Sequence, residues 1–236
     1  MTTTARFWAV VPAAGSGKRF GADRPKQYLQ FAGQTILEHT LIRLRHHPRL
    51  AGVVLVIAPN DPWWPKVKRF DGKIPLLVTH GGAERCHSVL NGINKLSDVA
   101  RAEDWVLVHD AARPLVTDGD INKLIDVAAQ ESAGGLLAAK LSDTIKQAND
   151  TEHSVATVDR SRLWRALTPQ MFPLALLRRA LGEAITQQVL VTDEASAVER
   201  LGLQPRLVEG RADNIKITHA SDLALAEFFW RRQQEE

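Results

Sequence analysis

The chain has 236 residues, with 30 Lys and Arg against 27 Asp and Glu, 44% hydrophobic and 24% charged residues, proportions of an ordinary globular protein able to bury a core. A formal charge of +3 with no long basic run excludes a dedicated nucleic-acid binder and leaves local sites for small anions. The longest nearly unbroken apolar run, residues 50–58, is nine residues where a bilayer helix needs about 20, so no membrane partner is expected.

In chain order, apolar runs at 7–11, 53–58, 76–78 and 105–109 read as buried strands. Between them, residues 35–46, 62–70 and 84–96 carry apolar side chains three and four apart, as Leu37, Leu41 and Leu44 do, and read as crossover helices. A helix at 120–130 and a strand at 135–139 follow. This alternation predicts the α/β class, a doubly wound, mostly parallel sheet. Residues 141–158 break the rhythm with polar, β-branched and turn-forming residues. They read as a protruding β-arm turning at Asn149-Asp150. An arm with so little apolar area of its own needs another surface, so a homodimer partner is expected. Helices return at 174–187 and 193–201, the latter capped by Thr192, then short strands near 206–208 and 214–217, and a last helix at 221–232. Without repeats or linkers, residues 1–236 form one domain carrying the arm. Cys86 is the only cysteine, and no convincing signal-peptide order opens the chain, so a reducing cytoplasm is expected.

Three turns carry candidate chemistry. After the first strand comes Pro12-Ala13-Ala14-Gly15-Ser16-Gly17-Lys18-Arg19-Phe20, with Arg24-Pro25-Lys26-Gln27 beyond it. Small residues let backbone N–H groups approach an anion, and Lys18, Arg19, Arg24 and Lys26 place four positive charges within nine residues. The chemistry suits a polyphosphate. A Walker A loop is excluded by Pro12 and Arg19, and a dinucleotide fingerprint by Phe20 where its third glycine belongs. A glycine-rich turn with solvated charges is the structural alternative.

The second turn, Val108-His109-Asp110-Ala111-Ala112-Arg113-Pro114, ends a buried strand at the edge where open α/β sheets place ligands. Asp110 suits a ribose hydroxyl or the water shell of Mg2+, or else caps its loop. His109 is read as packed, and Arg113 as a partner of Asp110 or another acid. The third turn, Thr79-His80-Gly81-Gly82-Ala83-Glu84-Arg85-Cys86-His87-Ser88, offers backbone groups to a base edge, with Ser88 one helical turn on. Glu84 and Arg85 are read as a helix start, and Cys86 as incidental.

The runs PAAGSGKRF with RPKQY, GGAERCHSV, VHDAARP, Asp143-Thr144, TVDRSRLWRALTPQ, TDEASAVE and VEGRADNIKIT, in this order and spacing, resemble the 2-C-methyl-D-erythritol 4-phosphate cytidylyltransferase family over nearly the whole chain. The resemblance implies a Rossmann-like nucleotidyltransferase that transfers CMP from CTP to methylerythritol phosphate and releases pyrophosphate, in the non-mevalonate route to isoprenoids. It implies a divalent cation, usually Mg2+, held mainly through the CTP phosphates, with no protein metal cage, and a homodimer with exchanged arms. By matching positions it implies that Ala13, Ala14, Gly15, Gly82 and Ser88 cradle CTP, that Asp110 meets the nucleotide or substrate region, and that Arg19 and Lys26 stabilise the transition state. Thr144, Arg160, Thr168, Thr192 and Lys216 match positions associated with methylerythritol phosphate, Thr144 and Arg160 reaching across from the partner's arm. The chain departs from the family pattern at Ala83, where an acidic residue is common. A related enzyme with another acceptor, such as a pentitol phosphate, and a non-catalytic nucleotide binder remain as alternatives.

Overall fold

A strand buried on both faces must be apolar along its whole length, and FWAVVP of β1 (Phe7–Pro12) meets that demand in the interior of a seven-stranded sheet. The computed structural model describes residues 5–15, 24–67 and 72–235. Within these, β2 (Gln30–Phe31) and β3 (Gln34–Thr35) form a small ribbon, and β4 (Leu50–Ile57), β5 (Leu76–His80), β6 (Trp105–Val108) and β7 (Gly135–Lys140) join the main sheet. Next come the hairpin of β8 (Ile145–Ala148) and β9 (Ser154–Val158), then β10 (Trp164–Pro173) and β11 (Arg206–Glu209). The helices are α1 (Ile36–His46), α2 (Arg85–Leu96), α3 (Asp118–Ala128), α4 (Leu174–Thr186), α5 (Glu194–Glu199) and α6 (Ala220–Glu235).

The sheet order is β11-β7-β10-β6-β1-β4-β5. β1 pairs in parallel with both β4 and β6, β4 with β5, and β7 with β11. Only β10 runs antiparallel, between β6 and β7. The chain therefore forms the expected doubly wound, mostly parallel α/β sheet. From β1 it winds outward through β4 to β5, then crosses back to start β6 on the other side of β1. That reversal opens a crevice at the carboxyl ends of β1 and β6, where such sheets hold ligands.

Alternation along the strands divides the core into two layers. Ala9 and Val11 of β1 pack with Leu37, Leu41 and Leu44 of α1 and with Ile121, Leu124 and Ile125 of α3. Trp8 and Val10 face the opposite side, against Val89 and Ile93 of α2, Leu177 and Leu181 of α4, and Val198 of α5. Helix α1 starts at a reciprocal cap: Thr35 Oγ1 accepts from the Glu38 N–H at 3.2 Å, and Glu38 Oε2 accepts from the Thr35 N–H at 2.6 Å. Helix α6 packs on a smaller cluster containing Phe31, Ile36, Leu115 and Ile217, with Trp230 lying 4.3 Å from the His39 ring.

Several expectations need correction. Residues 62–70 do not make a crossover helix; Asp61 Oδ1 accepts from the Trp63 and Trp64 N–H groups at 2.9 and 3.2 Å, Pro65 sits inside the turn, and only a 3-10 turn, Trp64–Lys66, results before Val67 becomes extended. The end of that expected helix, 68–70, lies outside the described residues. The cap of α5 is Asp193, not Thr192: its carboxylate accepts from the Ser196 N–H at 2.9 Å. Residues 214–217 form no strand: Arg113 and Lys26 side chains donate to the Asn214 and Ile217 carbonyls at 2.7 and 2.8 Å, and the Asn214 and Ile215 N–H groups bond within the local turn, to the carbonyls of Arg211 and Asp213. β10 went unread. Pro169 argues against a central strand, yet the ladder steps over it, with a register shift between Ala166 and Gln170. The hairpin exists, but its turn is longer than Asn149-Asp150, running to His153, whose N–H donates to Asn149 Oδ1 at 2.9 Å.

Candidate active site

The crevice holds a cavity of about 530 Å³, a size suited to a nucleotide. Three turns line it, each leaving the carboxyl end of a parallel strand: Pro12 to Gly15 after β1, Gly82 to Ser88 after β5, and Asp110 to Ala112 after β6. Lys26, Gln27, Lys216 and Thr218 close its sides. Of the residues expected to bind nucleotide, Ala13, Ala14, Gly15, Gly82, Ser88 and Asp110 all reach this cavity, together with Lys26 and Lys216. Arg19, expected beside Lys26, lies outside the described residues, as does the rest of the charged loop from 16 to 23.

The wall nearest β1 is built by close approach. A Cβ on Gly81 would stand 2.5 Å from Ala14 Cβ and 2.6 Å from Ser88 Oγ, so only glycine lets the two turns meet. Ser88 Oγ then links its own helix to the turn, donating to the Glu84 carbonyl at 3.1 Å and accepting from the Gly82 N–H at 3.2 Å. Gln27, which sequence reading passed over, is buried and donates to the carbonyls of Ala13 and Gly15 at 2.7 and 3.0 Å. It ties the first turn to the 3-10 segment Lys26–Tyr28, so Lys26 is presented from a fixed base. Lys26 Nζ also donates to the Ile217 carbonyl at 2.8 Å, joining the site to the segment that carries Lys216.

Asp110 is the hub of the opposite wall. Its Oδ2 lies 2.9 Å from Lys216 Nζ and 3.5 Å from Arg113 Nε, while Oδ1 lies 3.3 Å from Arg85 Nη2. Burial alone would raise its pKa, but Arg85, Lys216 and Arg113 outweigh burial and hold it well below the usual carboxylate range. Arg85 in turn forms a two-pronged pair with Glu194, at 2.6 and 3.0 Å. Burial pushes Glu194 towards its neutral form, and the Arg85 charge opposes that. From the sequence Arg85 reads only as a helix start and Glu194 only as an acid facing the α5 dipole; the complete burial of Glu194 is what demands a partner.

Beneath the hub, His109 is packed, as expected. Its Nε2 faces the Arg113 carbonyl at 3.0 Å and its Nδ1 the Thr168 hydroxyl at 3.0 Å, while Thr168 Oγ1 accepts from the Asp110 N–H at 3.1 Å. These partners assign the proton of the neutral ring to Nε2. Burial pushes the His109 pKa down to about 4. Thr168 thus supports Asp110 from behind instead of lining the cavity. Thr192 is exposed beside the α5 cap, and Thr144 and Arg160 are exposed at the two roots of the hairpin; none of the three lines the cavity of this chain. Ala83 does line it, so the departure from the family pattern faces the cavity. Among the described residues no cluster of three or more His, Cys, Asp or Glu side chains is gathered to hold a metal ion, and no helix is long and apolar enough to cross a membrane.

Comparison with known proteins adds an independent line. The family model for 2-C-methyl-D-erythritol 4-phosphate cytidylyltransferase, IspD, matches residues 7–232. A protein of that name from Pseudomonas putida (strain GB-1) is 52% identical over 235 residues, 99% of this chain and 97% of its own length. One from Vibrio parahaemolyticus is 52% identical over 226 residues, 96% of each chain. Among solved structures, the Francisella tularensis protein of the same name matches with a TM-score of 0.82 at 34% identity, across 95% of this chain and 100% of that one.

Proposed function

The chain belongs to the 2-C-methyl-D-erythritol 4-phosphate cytidylyltransferase family, and from that premise we propose how its pocket transfers CMP from CTP to methylerythritol phosphate, releasing pyrophosphate, in isoprenoid precursor biosynthesis. The observation that carries this reading is the pairing of a glycine- and alanine-lined cradle with lysines on two walls, Lys26 and Lys216, in one cavity at the sheet's switch point. A phosphate monoester carries about −1.5 to −2 charges at pH 7, so it attacks without a general base. Its oxygen forms a bond to the α-phosphorus of CTP as the bond from that phosphorus to the β-phosphate oxygen breaks, and the electron pair leaves with pyrophosphate. Two anions must be held in line while charge shifts to the leaving group, which is work for fixed cations and backbone N–H groups.

In this reading Ala13, Ala14, Gly15, Gly82 and Ser88 seat the nucleotide, and Lys26, with Arg19, stabilises the developing charge. Lys216 holds the acceptor phosphate, with Thr168 acting from behind through Asp110, Thr192 on that side, and Thr144 and Arg160 supplied by the arm of a second copy. The exposed, self-paired hairpin supports such a homodimer. Mg2+ or a similar divalent cation, arriving on the CTP phosphates, would neutralise charge on the departing pyrophosphate. Asp110 is the carboxylate whose chemistry suits its water shell, although both of its oxygens already face cations. The single cysteine suits work in the reducing cytoplasm.

The test is a coupled pyrophosphate assay with the four nucleoside triphosphates, with and without methylerythritol phosphate and Mg2+. Release is expected with CTP, acceptor and metal together. Equal release without the acceptor, or preference for another triphosphate, would overturn the assignment.

A further inference from the structure

Arg85 opens helix α2 and lines the cavity, yet its guanidinium is already engaged by two acids. Nη1 and Nη2 grip the two oxygens of Glu194 at 2.6 and 3.0 Å, and Nη2 also reaches Asp110 Oδ1 at 3.3 Å. Glu194 is the first residue of α5 and its side chain is 1% exposed, against 30% for Arg85, so the acid end of the grip is shielded from water and its geometry is set by two helix starts. A planar fork matched to a carboxylate fixes direction as well as distance, which a lysine ammonium cannot do.

Asp110 has only two oxygens to share among three cations. Arg85 occupies Oδ1, and Oδ2 is left to Lys216 at 2.9 Å, with Arg113 Nε at 3.5 Å. The carboxylate's rotation, and with it the resting place of the Lys216 ammonium, depends on the first oxygen being held. Three cations against two buried acids leave one surplus positive charge beside the cavity, where a phosphate would enter. We propose that Arg85, anchored by Glu194, is a positioning residue for the acceptor side of the site: it fixes Asp110 so that Lys216 waits where the acceptor phosphate arrives, and it does so without touching the reacting atoms. This deepens the cytidylyl-transfer reading and rests on it.

The test compares steady-state kinetics of the full-length wild type, Arg85→Gln, Arg85→Lys and Glu194→Gln, varying CTP and methylerythritol phosphate separately. For Arg85→Gln the KM for the acceptor is expected to rise about tenfold or more, with the KM for CTP within about threefold, because a displaced ammonium misplaces one reactant only. Arg85→Lys keeps the charge without the fork and should recover less than half of the loss. Glu194→Gln loosens the anchor and should raise the acceptor KM about threefold.

If Arg85→Gln does not fold, the other two variants decide by the same readouts. Folded variants with unchanged acceptor KM, full recovery by Arg85→Lys, or an acceptor bound more tightly by Glu194→Gln, would overturn the proposal in favour of a structural tie or simple charge. A wild type that releases no pyrophosphate would instead sink the reading beneath it.

Discussion

Lys216 and Thr168 sit in a chain of contacts that runs from Arg85 through Asp110 to His109, whereas Thr144 and Arg160, expected to serve the same acceptor, stand exposed at the roots of a hairpin bonded chiefly to itself. Each pocket residue pays its ordering cost through partners in its own chain. The hairpin has Val155 57% exposed, and two strands alone are marginal in water. In the proposed reading, half of the acceptor site is preorganised by folding within one chain, and the other half would be completed by the arm of a second copy.

The largest effect should come from the pocket preorganised within one chain. Lys26→Ala is expected to lower turnover by about 10²-fold or more, as removal of one fixed charge donor does, with little change in the melting temperature. Near-normal pyrophosphate release would break the contrast, since the site would then not depend on its fixed cations. Next is the foundation of the pocket. The unfolded chain takes up the proton that buried His109 refuses, so the stability this residue contributes is full above pH ~6.5 and is lost as the pH falls towards about 4. Urea unfolding between pH 7 and pH 4 should show a loss from this group of about 3 kcal/mol at most, absent in His109→Asn. Identical pH dependence in the two proteins would mean that the imidazole is not held neutral.

A smaller effect reads the other half directly. Copies inactivated by Lys26→Ala and by Arg160→Ala, mixed and allowed to exchange subunits, should regain about a quarter of the wild-type activity, because each mixed dimer has one site with both residues intact. No recovery, with exchange verified by mass, would place Arg160 in the site of its own chain or outside any site.

How far the sequence could be read follows the same division. Strands β1, β4, β6 and β7 were legible because each is a short run buried on both faces, β5 as a short apolar run although it is a half-exposed edge strand, and α1, α2 and α3 because their apolar residues recur at helical spacing. β10 was hidden: a proline sits within it, and near its start Arg165 and Ala166 are exposed. The turns lining the cavity were legible as glycine-rich loops after strands, since small residues and clustered charge are local signals. Gln27, Arg85 and Glu194 were not. A glutamine bonded to two carbonyls, or a glutamate paired with an arginine 109 positions away, leaves no local trace, because its meaning depends on the partner that folding brings near. Thr192 was misread as a cap for a related reason: Asp193 is an equally good cap one position on, and sequence alone does not choose between them.

The smallest expected effect separates the two halves most sharply. Val155→Ser changes a largely exposed side chain on β9, so within one chain it should shift stability by no more than about 0.5 kcal/mol. If the arm docks on a second copy, the same valine becomes an apolar contact, and its loss should weaken dimerisation in sedimentation while leaving the monomer's melting unchanged at low concentration. The two measurements must diverge for the arm to be an assembly element. If they move together, or if neither moves, the hairpin is a surface ornament of a self-sufficient fold, and the acceptor side must be completed by residues within one chain.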